Sequence, residues 1–320
     1  MGSLCTNFGR APRLHKNYLL FEGRLPLFLS FQSTIPWSLS FIPFLTSPIS
    51  KIHTKQVSSG PTAVHMCQGE YEGMRSLHAV SPIISPAVYA WGQYNSDPSS
   101  YFVLAEFRQV GEQPAEPLKL TARLAELHKN SLSPTGKFGF HTTTCHGTVP
   151  QLTDLWEESW AVLYRKQLAH MFAMDMTKHG PWPEFERLCQ LILDKVIPRL
   201  LEPLQSEGRS IKPCLVHGDL WDENTATDME TGEPLIFDGA VFYGHNEYET
   251  GNWRAPRHRL SSRVYIKNYK RNFAVSEPGT YYAPRGFGRG FGALICMWQR
   301  MTGMAGTCSI PCGSTLVLHF

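Results

Sequence analysis

Three polar residues stand at spacings suited to phosphoryl transfer. A short apolar run, Leu215-Val216, leads into His217-Gly218-Asp219-Leu220-Trp221, and Asn224 follows five residues after Asp219. A second acid, Asp238, stands where the run from Pro234 to Phe237 stops. Moving a phosphoryl group from a nucleotide to an alcohol requires the charge on its oxygens to be neutralised. Mg²⁺, a hard ion, does this with a few oxygen ligands such as a carboxylate and an amide carbonyl. Asn224 and Asp238 supply that pair. The attacking hydroxyl must also be oriented, and its proton taken, by a carboxylate not engaged on the metal, and Asp219 stands where such a base is needed. The plain alternative is a surface hairpin with ordinary turn acids. Three concordant spacings and the strand-like flanks favour the site.

Those side chains need scaffolding. Thr225 to Asp228 and Pro234 to Phe237 flank the polar turn Met229-Glu230-Thr231-Gly232 and read as a hairpin. If it lies beside the Leu215-Val216 strand, Asp219, Asn224 and Asp238 converge at one end. Upstream, Glu70 to Val80 carries Tyr71, Met74, Leu77 and His78 at helical spacing and is closed by Pro82. Ala87 to Trp91 and Tyr101 to Phe107 read as strands around Asn95-Ser96-Asp97-Pro98. Beyond Phe107 the spacing predicts helices over Glu116 to Asn130, Leu152 to Thr177 and Glu184 to Leu204. The stripe Trp156, Trp160, Leu163, Tyr164, Leu168, Met171 and Phe172 is core rather than a cofactor box. Between the first two of these helices runs the glycine-punctuated loop Ser133 to His141. His141, Cys145 and His146 are near enough in sequence to suggest zinc, but no fourth ligand stands at a standard spacing.

Composition sets outer bounds. The 320 residues can build two modest lobes, and 42% apolar with 18% charged is ordinary for a globular chain. A net charge of +3 is too mild for a nucleic-acid surface, and no basic run with interleaved aromatics stands out. Eight cysteines without a C-x-x-C pair argue for a reducing compartment, here the cytoplasm. The uncharged stretch Leu25 to Ser50 is interrupted by Pro36, Pro43 and Gln32, which speaks against a membrane-spanning helix, and against a signal peptide. Met1-Gly2-Ser3-Leu4-Cys5-Thr6 matches an N-myristoylation pattern, with Cys5 as a second acylation site.

Glu70-Tyr71-Glu72-Gly73-Met74, the run Tyr101 to Phe107, LAELHKNSLSPTGKFGFHTTT from Leu124, and HGDLWDEN with IFDGAVFYGHNEY resemble the fructosamine (ketosamine) kinase family over about residues 55 to 278. The resemblance implies a two-lobe, protein-kinase-like α/β fold, akin to that of aminoglycoside phosphotransferases. It implies ATP and Mg²⁺ as cofactors and, as substrates, ketosamines on glycated amines or proteins, phosphorylated on a sugar hydroxyl in the course of deglycation. Carried over by position, Asp219 is the general base, His217 holds the catalytic loop, Asn224 and Asp238 bind Mg²⁺, and Trp221 walls the sugar pocket. Glu72 pairs with the ATP-orienting lysine, and the Glu106-Phe107 backbone receives adenine. The candidate lysine is Lys55 in His53-Thr54-Lys55-Gln56-Val57, with no apolar strand and no glycine-rich loop legible before it. The expected division is an atypical, poorly ordered leader over 1–50, a truncated small lobe over 51–107, a mainly helical large lobe over 108–278 and a divergent tail over 279–320. Two other readings stay open. An aminoglycoside- or choline-type phosphotransferase would share Asp219, Asn224 and Asp238. A non-catalytic pseudokinase would follow if Lys55 does not reach the phosphates.

Overall fold

The computed structural model describes residues 18–21, 52–57, 60, 62–95 and 97–278, the first two stretches as backbone alone. Strands β1 (Tyr18–Phe21), β2 (Ile52–Val57), β3 (Val88–Gln93) and β4 (Tyr101–Glu106) form one antiparallel sheet in the order β1-β2-β4-β3. Helix α1 (Ala63–Val80) packs on it, with Ala63 and Cys67 buried against Val103. The helix starts seven residues before the Glu70 expected from periodicity, because the polar His65 and Gln68 and the helix-weak Gly69 interrupt the apolar pattern of its first two turns. It stops at Ser81, where Pro82 cannot continue it.

Two expectations for this lobe are corrected. Tyr18–Phe21, within the leader expected to be poorly ordered, is a strand paired with Ile52–Val57, so a strand does precede Lys55, which itself lies within β2. In register Lys55 stands opposite Val103 and Tyr18. The strand exists because β2 pairs along its whole length with β4, whose Phe102, Val103 and Leu104 are buried. Such tertiary pairing overrides a weak intrinsic pattern. The rest of the 1–50 leader, including the apolar stretch, the acylation pattern and any phosphate loop, lies outside the described residues, as does the 279–320 tail.

After β4 the chain becomes mainly helical. Helix α2 (Pro117–Asn130) is capped by the Glu116 carboxylate, which accepts the Leu118 and Lys119 amides at 2.9 Å each, and Pro117 presets its first turn. His128 and Lys129 sit in its last turn, where cations suit the dipole. Short strands follow: β5 (Phe138–Gly139), β6 (Cys145–His146), β7 (Val149–Pro150) and β8 (Trp156–Glu157). Helix α3 (Trp160–His179) therefore starts at Trp160, not Leu152. Trp156 belongs to β8, opposite Gly139, while the remainder of the aromatic stripe is buried as expected. The predicted 184–204 helix is interrupted. Helix α4 (Pro183–Leu191) passes through a π turn, Ile192–Val196, into α5 (Ile197–Leu201), with Arg165 Nε donating to the Leu193 carbonyl at 3.1 Å.

Strands β9 (Cys214–Val216), β10 (Thr225–Thr227), β11 (Pro234–Ile236) and β12 (Phe242–Gly244) lead to helix α6 (Arg263–Asn272). The β10–β11 hairpin forms as expected, but β9 does not lie beside it; β9 pairs with β12 in a separate sheet ordered β8-β5-β12-β9. The apolar Cys214, Leu215 and Val216 are wholly buried there, between α2 and the Phe242 side. One core runs from Met74 and Leu77 of α1 through Leu120, Leu124 and Trp160 to Trp253 and Tyr269. Among the described residues no helix is long and apolar enough to cross a membrane.

Candidate active site

Strand β9 delivers His217, Gly218 and Asp219 directly into a tight turn. Gly218 has φ +80°, and a Cβ there would stand 2.3 Å from the Ala240 carbonyl oxygen. Left-handed backbone alone costs an L-residue about 1–2 kcal/mol. Gly218→Ala is therefore expected to lower the melting temperature by several degrees and to displace the 238–241 segment; thermal unfolding checks the first effect.

His217 is fully buried and bonded at both ring nitrogens. Its Nδ1 accepts the Asp219 amide at 3.3 Å, and its Nε2 donates to the Phe237 carbonyl at 2.9 Å. Those partners define a neutral imidazole protonated at Nε2. The ring so ties the loop after β9 to the end of the β10–β11 hairpin, although these strands belong to different sheets.

Asn224 and Asp238 stand at that hairpin end. The Phe237 amide donates to the Asn224 carbonyl at 3.1 Å, which closes the open end of the ladder. Asn224 Nδ2 donates to the Asp219 carbonyl at 2.8 Å and lies 3.3 Å from Asp219 Oδ2. With its nitrogen turned to Asp219, the amide has its oxygen left for a cation. Asp238 follows Phe237 at φ +59°, a left-handed conformation that Asp tolerates better than most residues, and it is half-buried. Gly239 next to it packs against His217, so Asp238 is bracketed by two residues that the imidazole contacts. One carboxylate and one amide carbonyl suit Mg²⁺, which is commonly held by one or two protein oxygens together with nucleotide phosphates.

Asp219 is 5% exposed, and its carboxylate is oriented from three sides. Asn252 Nδ2 donates to Oδ1 at 3.1 Å, buried His146 Nδ1 stands 3.6 Å from the same oxygen, and Asn224 approaches Oδ2. Trp221, half-buried, lies with its ring 5.3 Å from that of His258. The zinc alternative finds no support in this arrangement. His146 turns to Asp219 while His141 bonds Glu72, and no group of three potential ligands gathers among the described residues.

Sequence reasoning missed the groups behind this loop. Glu249, fully buried, accepts the His217 amide at 2.5 Å on one oxygen and the Gly218 amide at 3.1 Å on the other. His128 Nε2 stands 3.4 Å from it, and His128 Nδ1 bonds the Tyr269 hydroxyl at 2.7 Å. The chain of bonds thus links α2, the turn after β9 and α6. Glu249, Asn252 and His146 lie far from the motif in sequence, and only the GHNEYE run beside Phe242 hinted at buried acids.

Nearby Glu247 is 3% exposed, and burial pushes its carboxyl up to about 7, opposed by the Ser276 amide and by Lys270 and Arg254. A carboxyl raised above its unfolded value binds an extra proton when folded, so its ionisation destabilises the fold as pH rises from the ordinary carboxylate range through about 7. Glu247→Gln should therefore raise the melting temperature more at pH 8 than at pH 5. Equal shifts at both would contradict this.

In the small lobe the described partners of Glu72 and Glu106 are as follows. Glu72 lies on the opposite side of α1 from Ala63, the residue packed toward Val103. It pairs with His141 Nε2 at 3.2 Å and Arg75 Nη2 at 2.7 Å. The His141 bond foremost, with Arg75, holds its carboxyl below the usual range despite partial burial. At about 100° per residue, Glu70 instead shares the face of Ala63 and Cys67. Glu106 ends β4 with its amide on the Ala87 carbonyl at 2.7 Å. Its carboxylate accepts the Ala87 amide at 3.1 Å and pairs with Arg108 Nε at 2.9 Å. Arg108 reaches on to buried Asp228 at 3.1 Å, so the segment through Phe107 is tied to the β10–β11 hairpin.

A four-stranded sheet with one helix, joined by the strand exit at Glu106 to a mainly helical lobe in which an amide and a carboxylate meet after β9, is the architecture of kinase-like phosphotransferases. Residues 53–277 match the Fructosamine kinase family, and the chain belongs to it. It is 32% identical over 205 residues to a protein-ribulosamine 3-kinase, chloroplastic, of Oryza sativa, covering 62% of this chain and 55% of that one. It is 42% identical over 115 residues to the ketosamine-3-kinase of Mus musculus, covering 35% and 34%. A crystal structure from Haemophilus somnus assigned as a fructosamine-3-kinase superposes with a TM-score of 0.56 at 18% identity, over 78% of this chain and 83% of that one, which establishes the shared fold. The chain spans about half the length of the curated relatives it matches.

Proposed function

We propose that the chain transfers the γ-phosphoryl group of ATP to a sugar hydroxyl of a ketosamine on a glycated amine or protein. The observation that carries this reading is the Asn224 side-chain amide, whose nitrogen donates to the Asp219 carbonyl at 2.8 Å and to the Asp219 carboxylate at 3.3 Å and so leaves its oxygen for a cation, within the matched family region. Mg²⁺, when bound, neutralises charge on the phosphates, and Asn224 Oδ1 with the Asp238 carboxylate would hold it. Asp219, oriented by Asn252 and His146, accepts the hydroxyl proton. His217 keeps Asp219 and the Asp238 turn in fixed relation, and Trp221 with His258 forms the wall against which a sugar ring packs. Lys55 is the phosphate clamp, and the glutamate that steadies it is Glu70 rather than Glu72, since Glu70 shares the helix face packed toward Val103, the register partner of Lys55. Adenine lies against the segment leaving β4 at Glu106-Phe107. The lobes divide near Phe107, and Cys145, Cys189 and Cys214, which form no disulfide among the described residues, suit a reducing cytoplasm.

The test has two arms. Titrating ATP with and without Mg²⁺ into wild type and Asp238→Ala should show metal-dependent binding lost in the variant, because a neutral amide does not replace a carboxylate on a hard dication. Presenting wild type with a fructosyl-amine and an aminoglycoside should give transfer to the first. Transfer to the aminoglycoside alone would move the reading to the antibiotic-type phosphotransferases.

A further inference from the structure

Between Gly251 and Ser276 the chain carries seven lysines and arginines and no acid, whereas the whole chain is only +3, so the remainder is net acidic. The sequence reading passed over this run. It begins at the candidate site itself. Asn252 holds Asp219, Trp253 Nε1 donates to the Leu220 carbonyl at 3.2 Å, and His258 packs on Trp221. Arg257 and Arg259, both exposed, flank His258 at this mouth, and Arg263 and Lys267 continue one turn apart on the exposed side of α6.

Among the described residues these cations meet no carboxylate. Arg259 Nη1 reaches only the neutral Gln113 Oε1, and among the described residues Arg257, Arg263 and Lys267 make no ion pair. The acid facing them, Asp222, has both oxygens on the Arg259 and Leu260 amides, at 2.6 and 2.9 Å, and lies 3.8 Å from His258 Nδ1. Glu223 beside it is exposed. Burial first, then the Arg257 charge, keeps His258 below its ordinary range, so it remains an uncharged wall between the two arginines. The interleaved aromatics Trp253, Tyr265 and Tyr269 are buried, so the surface has no stacking faces for nucleic-acid bases. What remains is a row of guanidinium groups, which pair well with carboxylates.

We propose that this surface docks acidic peptide, so that the preferred acceptor is a ketosamine on a lysine flanked by Asp or Glu residues. The proposal rests on the ketosamine kinase reading. The sugar enters at Trp221 and Asp219, and neighbouring carboxylates meet Arg257, Arg259 and Arg263. Such complementarity acts chiefly on encounter and register, and weakens with salt.

The experiment uses three synthetic peptides with one fructosyl-lysine each, flanked by Glu, Ser or Lys, with wild type and Arg257→Glu/Arg259→Glu. Binding is read by fluorescence anisotropy and transfer from labelled ATP in parallel; retained Mg·ATP binding certifies that the variant is folded. The account expects kcat/KM for the Glu peptide to exceed that for the Ser peptide by about tenfold at low salt and to fall toward it at high salt. It expects the ratio to collapse or invert in the variant. Equal use of the Glu and Ser peptides, or a preference that survives charge reversal, overturns the docking surface and leaves the kinase reading intact. Arginine-dependent binding of the Glu peptide with no transfer to any peptide upholds the surface and removes the kinase reading. If instead a neutral peptide carrying a ketosamine phosphorylated on its sugar shows the arginine-dependent gain and the Glu peptide does not, the anion recognised is on the sugar and the proposal is wrong.

Discussion

Asp219→Asn is expected to lower transfer to a ketosamine by about 10²–10⁴-fold while leaving Mg·ATP affinity within a few-fold of wild type. An amide does not take the hydroxyl proton, whereas the proposed metal ligands, Asn224 and Asp238, are untouched. The structure adds a second consequence. Asp219 presents two acceptor oxygens to two amide donors, Asn252 Nδ2 at 3.1 Å and Asn224 Nδ2 at 3.3 Å. Whichever way an asparagine side chain is turned, its own NH₂ faces one of those donors. A lost buried bond of this kind costs about 1–3 kcal/mol, so the variant should also melt lower. Parallel single-turnover and nucleotide-titration measurements separate the two effects. A fall in Mg·ATP affinity as large as the fall in rate would place Asp219 on the metal instead.

Glu249→Ala should have the largest effect on the fold. It strips acceptors from two buried amides, His217 and Gly218, and leaves His128 without its acidic neighbour. The expected loss is about 3–5 kcal/mol, or roughly 10 °C in melting temperature for a chain of this size. Glu249→Gln retains one acceptor oxygen and should fall between alanine and wild type. Denaturation of the three proteins in urea checks the order. A melting curve for Glu249→Ala that coincides with wild type would show that the turn after β9 is held by something else.

The extent to which the sequence was legible follows from where contacts are local. The β10–β11 hairpin could be read because its turn and flanks are contiguous, and α2 because its Leu120, Leu124 and Leu127 stripe and Pro117 start lie within one window. Asn224 and Asp219 were paired from a five-residue spacing, and the Asn224 amide donates to the Asp219 carbonyl. The neighbour of β9 was misjudged because strand pairing is set by burial against distant elements, here β12 and α2. Glu72 was carried over from the family resemblance; with α1 beginning at Ala63, the helix period places Glu72 on the side away from Ala63 and Glu70 on the side of Ala63 and Cys67. Glu249 and Asn252 were not found, since a buried acid that accepts two amides leaves no periodic trace in the sequence. The strand Tyr18–Phe21 was missed because it is defined by its partner, Ile52–Val57, across thirty residues of intervening chain.

The most direct test of the central claim follows label from γ-phosphorus-labelled ATP into a fructosyl-lysine peptide with Mg²⁺ present, for wild type and Asp219→Asn side by side. The account predicts label on a sugar hydroxyl of the peptide with wild type and its near-complete loss with the variant, whose Mg·ATP affinity is retained. Equal labelling by both proteins, or ATP turnover by wild type with no label on the sugar, would contradict it.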